Sequence, residues 1–82
     1  MNVLIVDDLP TNLKLLRAVL EAEGLTVFAA ADGIEALQVL ELEKVDAIIS
    51  DILMPRMDGY RLCFEVRKNE RLKRLPFIFY TA

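Results

Sequence analysis

Four residues in this chain carry chemistry that could converge: the pair Asp7 and Asp8, then Asp51, then Thr81. Each comes at the end of a short apolar stretch, Asn2 to Val6 before the paired acids, Ala47 to Ser50 before Asp51, and Phe77 to Tyr80 before Thr81. Apolar runs this short, rich in β-branched or aromatic residues, read as buried strands. The carboxylates and the hydroxyl would then stand where strands end, and the carboxyl edge of an open parallel sheet is where ligands bind. Carboxylates gathered in one crevice repel each other, and the usual remedy is a hard cation. Mg²⁺ takes a few carboxylate oxygens, a carbonyl and several waters. The acids therefore predict a divalent-metal site. A cation beside Asp51 could also bridge to a phosphoryl oxygen while a carboxylate oxygen attacks phosphorus in line, and the Thr81 hydroxyl could donate to another phosphoryl oxygen.

Taken singly, each group has a plainer reading. Asp7 or Asp8 could cap the first helix, Asp51 could be a loop residue and Thr81 a strand former. Together, three acids at the ends of inner strands resist that explanation, because crowding like charges lowers stability unless something offsets it.

The elements that must position these groups alternate in type along the chain. After the strand Asn2 to Val6, Pro10 suits the first turn of a helix, and Leu13, Leu16 and Leu20 follow at helical intervals, with Leu15 and Val19 widening the stripe. Gly24 stops that helix, and Leu25 to Ala30 is a second strand. Asp32 followed by Glu35 has capping-box spacing, so a second helix begins there, with Ile34, Leu37 and Leu40 periodic up to Glu43 or Lys44. Ala47 to Asp51 is the third strand. Met54-Pro55 and Asp58-Gly59 are loop punctuation, and Asp58-Gly59 can also cap a third helix from about Gly59 to Asn69, with Leu62 and Val66 on one face and Cys63 beside them. A charged loop, Glu70 to Arg74, and Pro76 lead to a fourth strand, Phe77 to Tyr80. Strict alternation with short connections implies a parallel α/β sheet with right-handed crossovers and helices on both faces.

Composition narrows the function classes. At 82 residues the chain holds one domain at most, and 55% hydrophobic against 28% charged residues is globular rather than disordered composition. No apolar run approaches the roughly 20 residues that span a bilayer, and no basic leader precedes the first strand, so a cytoplasmic location is expected. With one cysteine and no histidine, an internal disulfide and a structural zinc site are excluded, and Cys63 reads as core filler. Residues 1–55 hold ten acids and three bases, whereas 56–74 hold seven bases and three acids. That basic flank reads as a solvated helix face and loop. Without a helix-turn-helix pattern or an aromatic platform, nucleic-acid binding is not expected of it.

Taken together the motifs resemble the receiver domain of bacterial two-component response regulators. Val3-Leu4-Ile5-Val6-Asp7-Asp8 resembles that family's acidic pair after its first strand. Ile48-Ile49-Ser50-Asp51-Ile52-Leu53-Met54-Pro55-Arg56-Met57-Asp58-Gly59-Tyr60 resembles its phosphoacceptor segment, and Pro76-Phe77-Ile78-Phe79-Tyr80-Thr81-Ala82 its fourth strand with the hydroxyl residue and the small residue after it. The separations, 43 residues from Asp8 to Asp51 and 30 from Asp51 to Thr81, suit the family as well. The resemblance implies a flavodoxin-like doubly wound parallel sheet with strand order 2-1-3-4. It implies that Asp51 accepts a phosphoryl group from a histidine kinase or phosphotransfer protein. Asp7, Asp8, Asp51 and the Leu53 backbone carbonyl would hold Mg²⁺, Thr81 would bond the phosphoryl group, and Ala82 would leave access to Asp51. Such a chain is a self-catalysed phosphoacceptor at most, not an enzyme with turnover. A small-molecule phosphatase would want a second acid at position 53, which is Leu53.

Receivers of this family continue beyond the small residue with a helix, a strand bearing a lysine that pairs with the phosphoryl group, and a last helix. The resemblance thus implies a receiver truncated after its fourth strand, and none of Lys14, Lys44, Lys68 or Lys73 matches that lysine. Losing a cation aimed at the phosphoryl group would cost about 3 to 4 kcal/mol of transition-state stabilisation. The fourth strand then becomes an edge with aromatic residues on it, which predicts a homo-oligomer through that edge or through the uncovered sheet face. The alternative function is a receiver remnant that is not phosphorylated and works as a dimerisation or interaction module.

Overall fold

Pro10 at the start of the first helix and Gly24 at its end set the first crossover of this fold. The structure, a computed structural model, describes residues 1–80. Thr81 and Ala82, to which the phosphoryl hydrogen bond and the access role were assigned, lie outside the described residues. The chain runs β1 (Asn2–Val6), α1 (Pro10–Ala22), β2 (Thr26–Ala30), α2 (Gly33–Leu42), β3 (Ala47–Asp51), α3 (Gly59–Arg67) and β4 (Phe77–Tyr80). The four strands form one parallel sheet in the order β2-β1-β3-β4, as the alternation and the resemblance implied.

The helix boundaries follow from local chemistry. Gly24 takes φ +85°, where a side chain would be strained. Its N–H reaches the Glu21 carbonyl while Leu25 N–H reaches Leu20, so two otherwise orphaned carbonyls of α1 are satisfied. Asp32 caps α2 by accepting the Glu35 N–H at 2.9 Å. The Glu35 carboxylate reaches back one residue further than a strict capping box requires, to Ala31 N–H. Asp58 caps α3 through the Arg61 N–H at 2.8 Å. The last helix stops at Arg67, two residues before the expected Asn69, and its side chain turns back to donate to the carbonyls of Lys73 and Leu75. The Arg71 guanidinium, also in that connection, donates to the Leu40 carbonyl of α2.

Parallel pairing gives two buried layers. Leu4, Val6 and Ile48 point to the side of α2 and α3, where they join Ala36, Leu40, Leu62, Val66 and Leu72 in a closed core. Val3, Ile5 and Val27 point to the other side, where among the described helices α1 covers them with Leu13, Leu16 and Leu20. Leu15 and Val19, which widen the apolar stripe, stand 67% and 55% exposed, because no neighbouring helix among the described residues flanks α1. One expectation is corrected here. Cys63 is half-buried at the margin of α3 and not a core residue.

Candidate functional site

β1 and β3 are adjacent and parallel, with Val6 beside Ser50, so the residues that follow them emerge side by side at one rim of the sheet. That register brings together the acids read from the sequence. Asp7, Asp8 and Asp51 can each offer a carboxylate oxygen such that all three lie within 4.8 Å of one another. Asp7 is fully buried and Asp51 is buried at 8% exposure, while Asp8 is the accessible member.

Asp7 does not cap α1, which answers one of the plainer readings. The N-cap position is Leu9, in extended conformation and without a side-chain cap. Instead the Asp7 carboxylate collects three donors: the Leu9 N–H at 2.9 Å on Oδ1, the Asn12 amide at 3.0 Å on Oδ2, and the Tyr80 hydroxyl, also on Oδ2. Burial raises the Asp7 carboxyl, but the bonds from Tyr80, Leu9 and Asn12 outweigh it and hold the group below its ordinary 3.8. It is therefore ionised at neutral pH, as a ligand for a hard cation must be.

Asp51 is fixed by its surroundings. Its Oδ1 accepts the Ile52 N–H at 2.8 Å, and the Ser50 hydroxyl donates to the Asp51 carbonyl at 2.8 Å. Gly59, the first residue of α3, packs directly on this backbone, with its N–H on the Ile52 carbonyl at 2.8 Å. A Cβ at position 59 would strike the Asp51 carbonyl oxygen and come within 3.0 Å of the Ile52 Cα. Only glycine allows α3 to start so close to the phosphoacceptor candidate. Leu53 lies two residues beyond Asp51 on the same loop and is 79% exposed.

The loop from Ile52 to Asp58 is tied to the start of α2. Arg56 adopts φ +66°, unusual for a residue with a side chain, and its guanidinium pairs with buried Asp32 at 2.6 Å. Gly33 N–H meets the Met57 carbonyl at 3.2 Å. Burial raises the Asp32 carboxyl, yet the Glu35 N–H and Arg56 lower it by more, so it stays below 3.8.

The sequence reading missed Asn12, Tyr80 and the Arg56–Asp32 pair. Tyr80 had one visible signal, as the only residue of β4 with a polar side-chain atom. Arg56 and Asp32 are 24 positions apart with no local pattern to join them.

The acids, their spacing and the sheet order can be set beside known proteins. Residues 3–82 match a family model described as the response regulator receiver domain. Transcriptional regulatory protein GlrR of Escherichia coli (strain K12) is 46% identical over 81 residues, covering 99% of this chain and 18% of that protein. The signal receiver domain of a signal transduction histidine kinase from Syntrophus aciditrophicus superposes with a TM-score of 0.94 at 41% identity, over 99% of this chain and 61% of that one. Response regulator protein TrrA from Thermotoga maritima, solved in complex with Mg(2+)-BeF, gives 0.91 at 34% identity, over 99% and 69%. The chain spans less than two-thirds of the length of the curated relatives it matches. No helix among the described residues is long and apolar enough to cross a membrane.

Proposed function

Since the chain belongs to the response-regulator receiver family, matched over residues 3–82, we propose that Asp51 is its phosphoacceptor in two-component signalling. The single observation that supports this most is the gathering of three carboxylate oxygens, on Asp7, Asp8 and Asp51, within 4.8 Å of one another at the carboxyl rim of the sheet. The donor set is all oxygen, which suits Mg²⁺ and not a soft metal. Asp7, Asp8, Asp51 and the Leu53 carbonyl would hold it, and when bound it neutralises charge as phosphate approaches.

A phosphohistidine on a histidine kinase or phosphotransfer protein is the donor. An Asp51 carboxylate oxygen attacks phosphorus, the bond from phosphorus to the histidine nitrogen breaks with its electron pair staying on that nitrogen, and an acyl phosphate is left on Asp51. Neutral imidazole is released because the ring's other nitrogen already carries a proton in the protonated phosphohistidine. The Ile52 N–H on Oδ1 leaves Oδ2 as the nucleophilic atom. Asp7, already fixed by three donors, keeps its charge near the reacting group. Thr81 would then donate to the phosphoryl group, and the small Ala82 would leave access to Asp51, as the family resemblance implies. The protein is a single-turnover acceptor and not an enzyme.

Incubation with Mg²⁺ and acetyl phosphate followed by intact mass tests the reading. One added phosphoryl group, absent in Asp51→Asn, is the expected result. A second reading, a module that assembles without being phosphorylated, is favoured by the exposure of Ile78 and Phe79 on β4 (54% and 36%) and predicts no gain in mass. Donor hydrolysis far beyond one equivalent would overturn both and indicate a phosphatase.

A further inference from the structure

We propose that Tyr80 is a positioning residue for the divalent-cation site: its hydroxyl reaches across the end of β3 to lock the Asp7 carboxylate so that one oxygen position is left facing the cation. The inference rests on the Mg²⁺ reading above and goes beyond it, because it places a β4 side chain that is neither an acid nor the hydroxyl residue Thr81 in control of metal affinity.

The geometry carries the argument. Tyr80 is register-paired with Asp51, so its ring starts beside the phosphoacceptor candidate. β3 lies between β4 and β1, yet the hydroxyl bonds to Asp7, which follows β1. On the way the ring lines an apolar groove of about 440 Å³ with Asn12, Leu16 and Ile49, which holds it on the α1 side of the sheet. A carboxylate has about four lone-pair sites. Leu9 N–H takes one on Oδ1, and Asn12 and Tyr80 take both on Oδ2, leaving one on Oδ1. A carboxylate restricted in this way offers the single oxygen that the tight octahedral shell of Mg²⁺ accepts, and it disfavours the bidentate mode open to Ca²⁺.

The phenol is also a dependable donor. A phenol hydroxyl has one proton to donate, and here it is spent on the Asp7 carboxylate. Groups that orient a metal-binding carboxylate typically change metal affinity 10- to 100-fold when removed.

The test is Mg²⁺ titration calorimetry on the 82-residue chain and on Tyr80→Phe, with circular dichroism to check that the variant is folded. A Kd for Mg²⁺ weakened about 10-fold or more, with a smaller Mg²⁺ to Ca²⁺ preference, is expected. An affinity within twofold of the parent, or a tighter one, overturns the proposal, the tighter result because the hydroxyl would then be competing with the cation. The chain has only two tyrosines, Tyr60 and Tyr80, so a Tyr60→Phe background labelled with 3-fluorotyrosine gives a single ¹⁹F signal without touching the Tyr80 hydroxyl. That signal should shift along the same saturation curve as the heat, and a signal indifferent to saturating Mg²⁺ overturns the proposal even if Tyr80→Phe fails to fold. If the parent chain itself binds no Mg²⁺, the reading of the acidic site fails first, which is a distinguishable result.

Discussion

On the side of the sheet shared by α2 and α3, Leu4, Ala36, Leu40, Ile48, Leu62 and Val66 are all at 0% exposure, whereas on the side of α1 the helix has no fully buried residue at all. Both sides are built from apolar stripes at helical spacing, so amphipathicity alone does not account for the difference. What separates them is flanking. α2 and α3 pack on each other as well as on the sheet, and the α3–β4 connection adds Leu72 beneath them. Among the described residues no second helix packs beside α1, so its outer leucine and valine line an open groove. Periodicity tells which residues can be buried, while neighbours decide which are.

The contrast predicts unequal costs. Ile48→Ala in the closed layer should destabilise by about 2–5 kcal/mol, because the site cannot collapse around the lost volume. Chemical denaturation checks this. If instead it costs no more than the corresponding change on the α1 side, the difference between the faces has no energetic content. Next in size is self-association. The Ile78 and α1 side of the sheet should draw copies together, and Ile78→Lys combined with Leu15→Glu should move the light-scattering mass toward monomer. A parent chain already monomeric at high concentration removes that expectation. Leu16→Ala, on the half-open face, should cost only about 1 kcal/mol, since the side chain starts partly wet.

The smallest effect concerns the loop latch, which belongs to the closed side. A carboxyl held below its ordinary value in the folded state contributes stability that is present at neutral pH and is lost as pH falls through the folded value. Asp32 is such a group, so its contribution fades below about pH 4. Asp32→Asn keeps a capping oxygen but loses the charge opposite Arg56, whose side chain is 56% exposed, so at pH 7 the loss should be under about 1 kcal/mol. As pH is lowered from 7 to 3, denaturation midpoints should fall less steeply for the variant than for the parent.

Much of this architecture was legible from residue order. The strand ending in Asp51, the caps at Asp32 and Asp58 and the stop at Gly24 are local statements, since each depends on residues within a few positions and on backbone rules that tertiary structure rarely overrides. The meeting of Asp7, Asp8 and Asp51 needed one further step, the ordering of strands, which alternation with short crossovers largely determines. The Tyr80 bond to Asp7 and the Arg56 pair with Asp32 were not legible, because each depends on how far a side chain reaches across the folded sheet. The exposure of Leu15 and Val19 could not be read from their periodicity, which shows only an apolar stripe; it followed from the expectation of an uncovered sheet face, because it depends on what stands beside a helix and not on the helix.

The glycine at position 59 has a mechanical consequence. Because the first turn of α3 rests on the Asp51 and Ile52 backbone with no room even for a methyl group, the two cannot approach any further. Any side chain at position 59 must push either on that helix or on the Asp51–Ile52 backbone that begins the segment pinned at its other end to Asp32. A seat without clearance passes displacement on to whatever is bolted to it, and here that is the pair of helices on the densely packed side of the sheet.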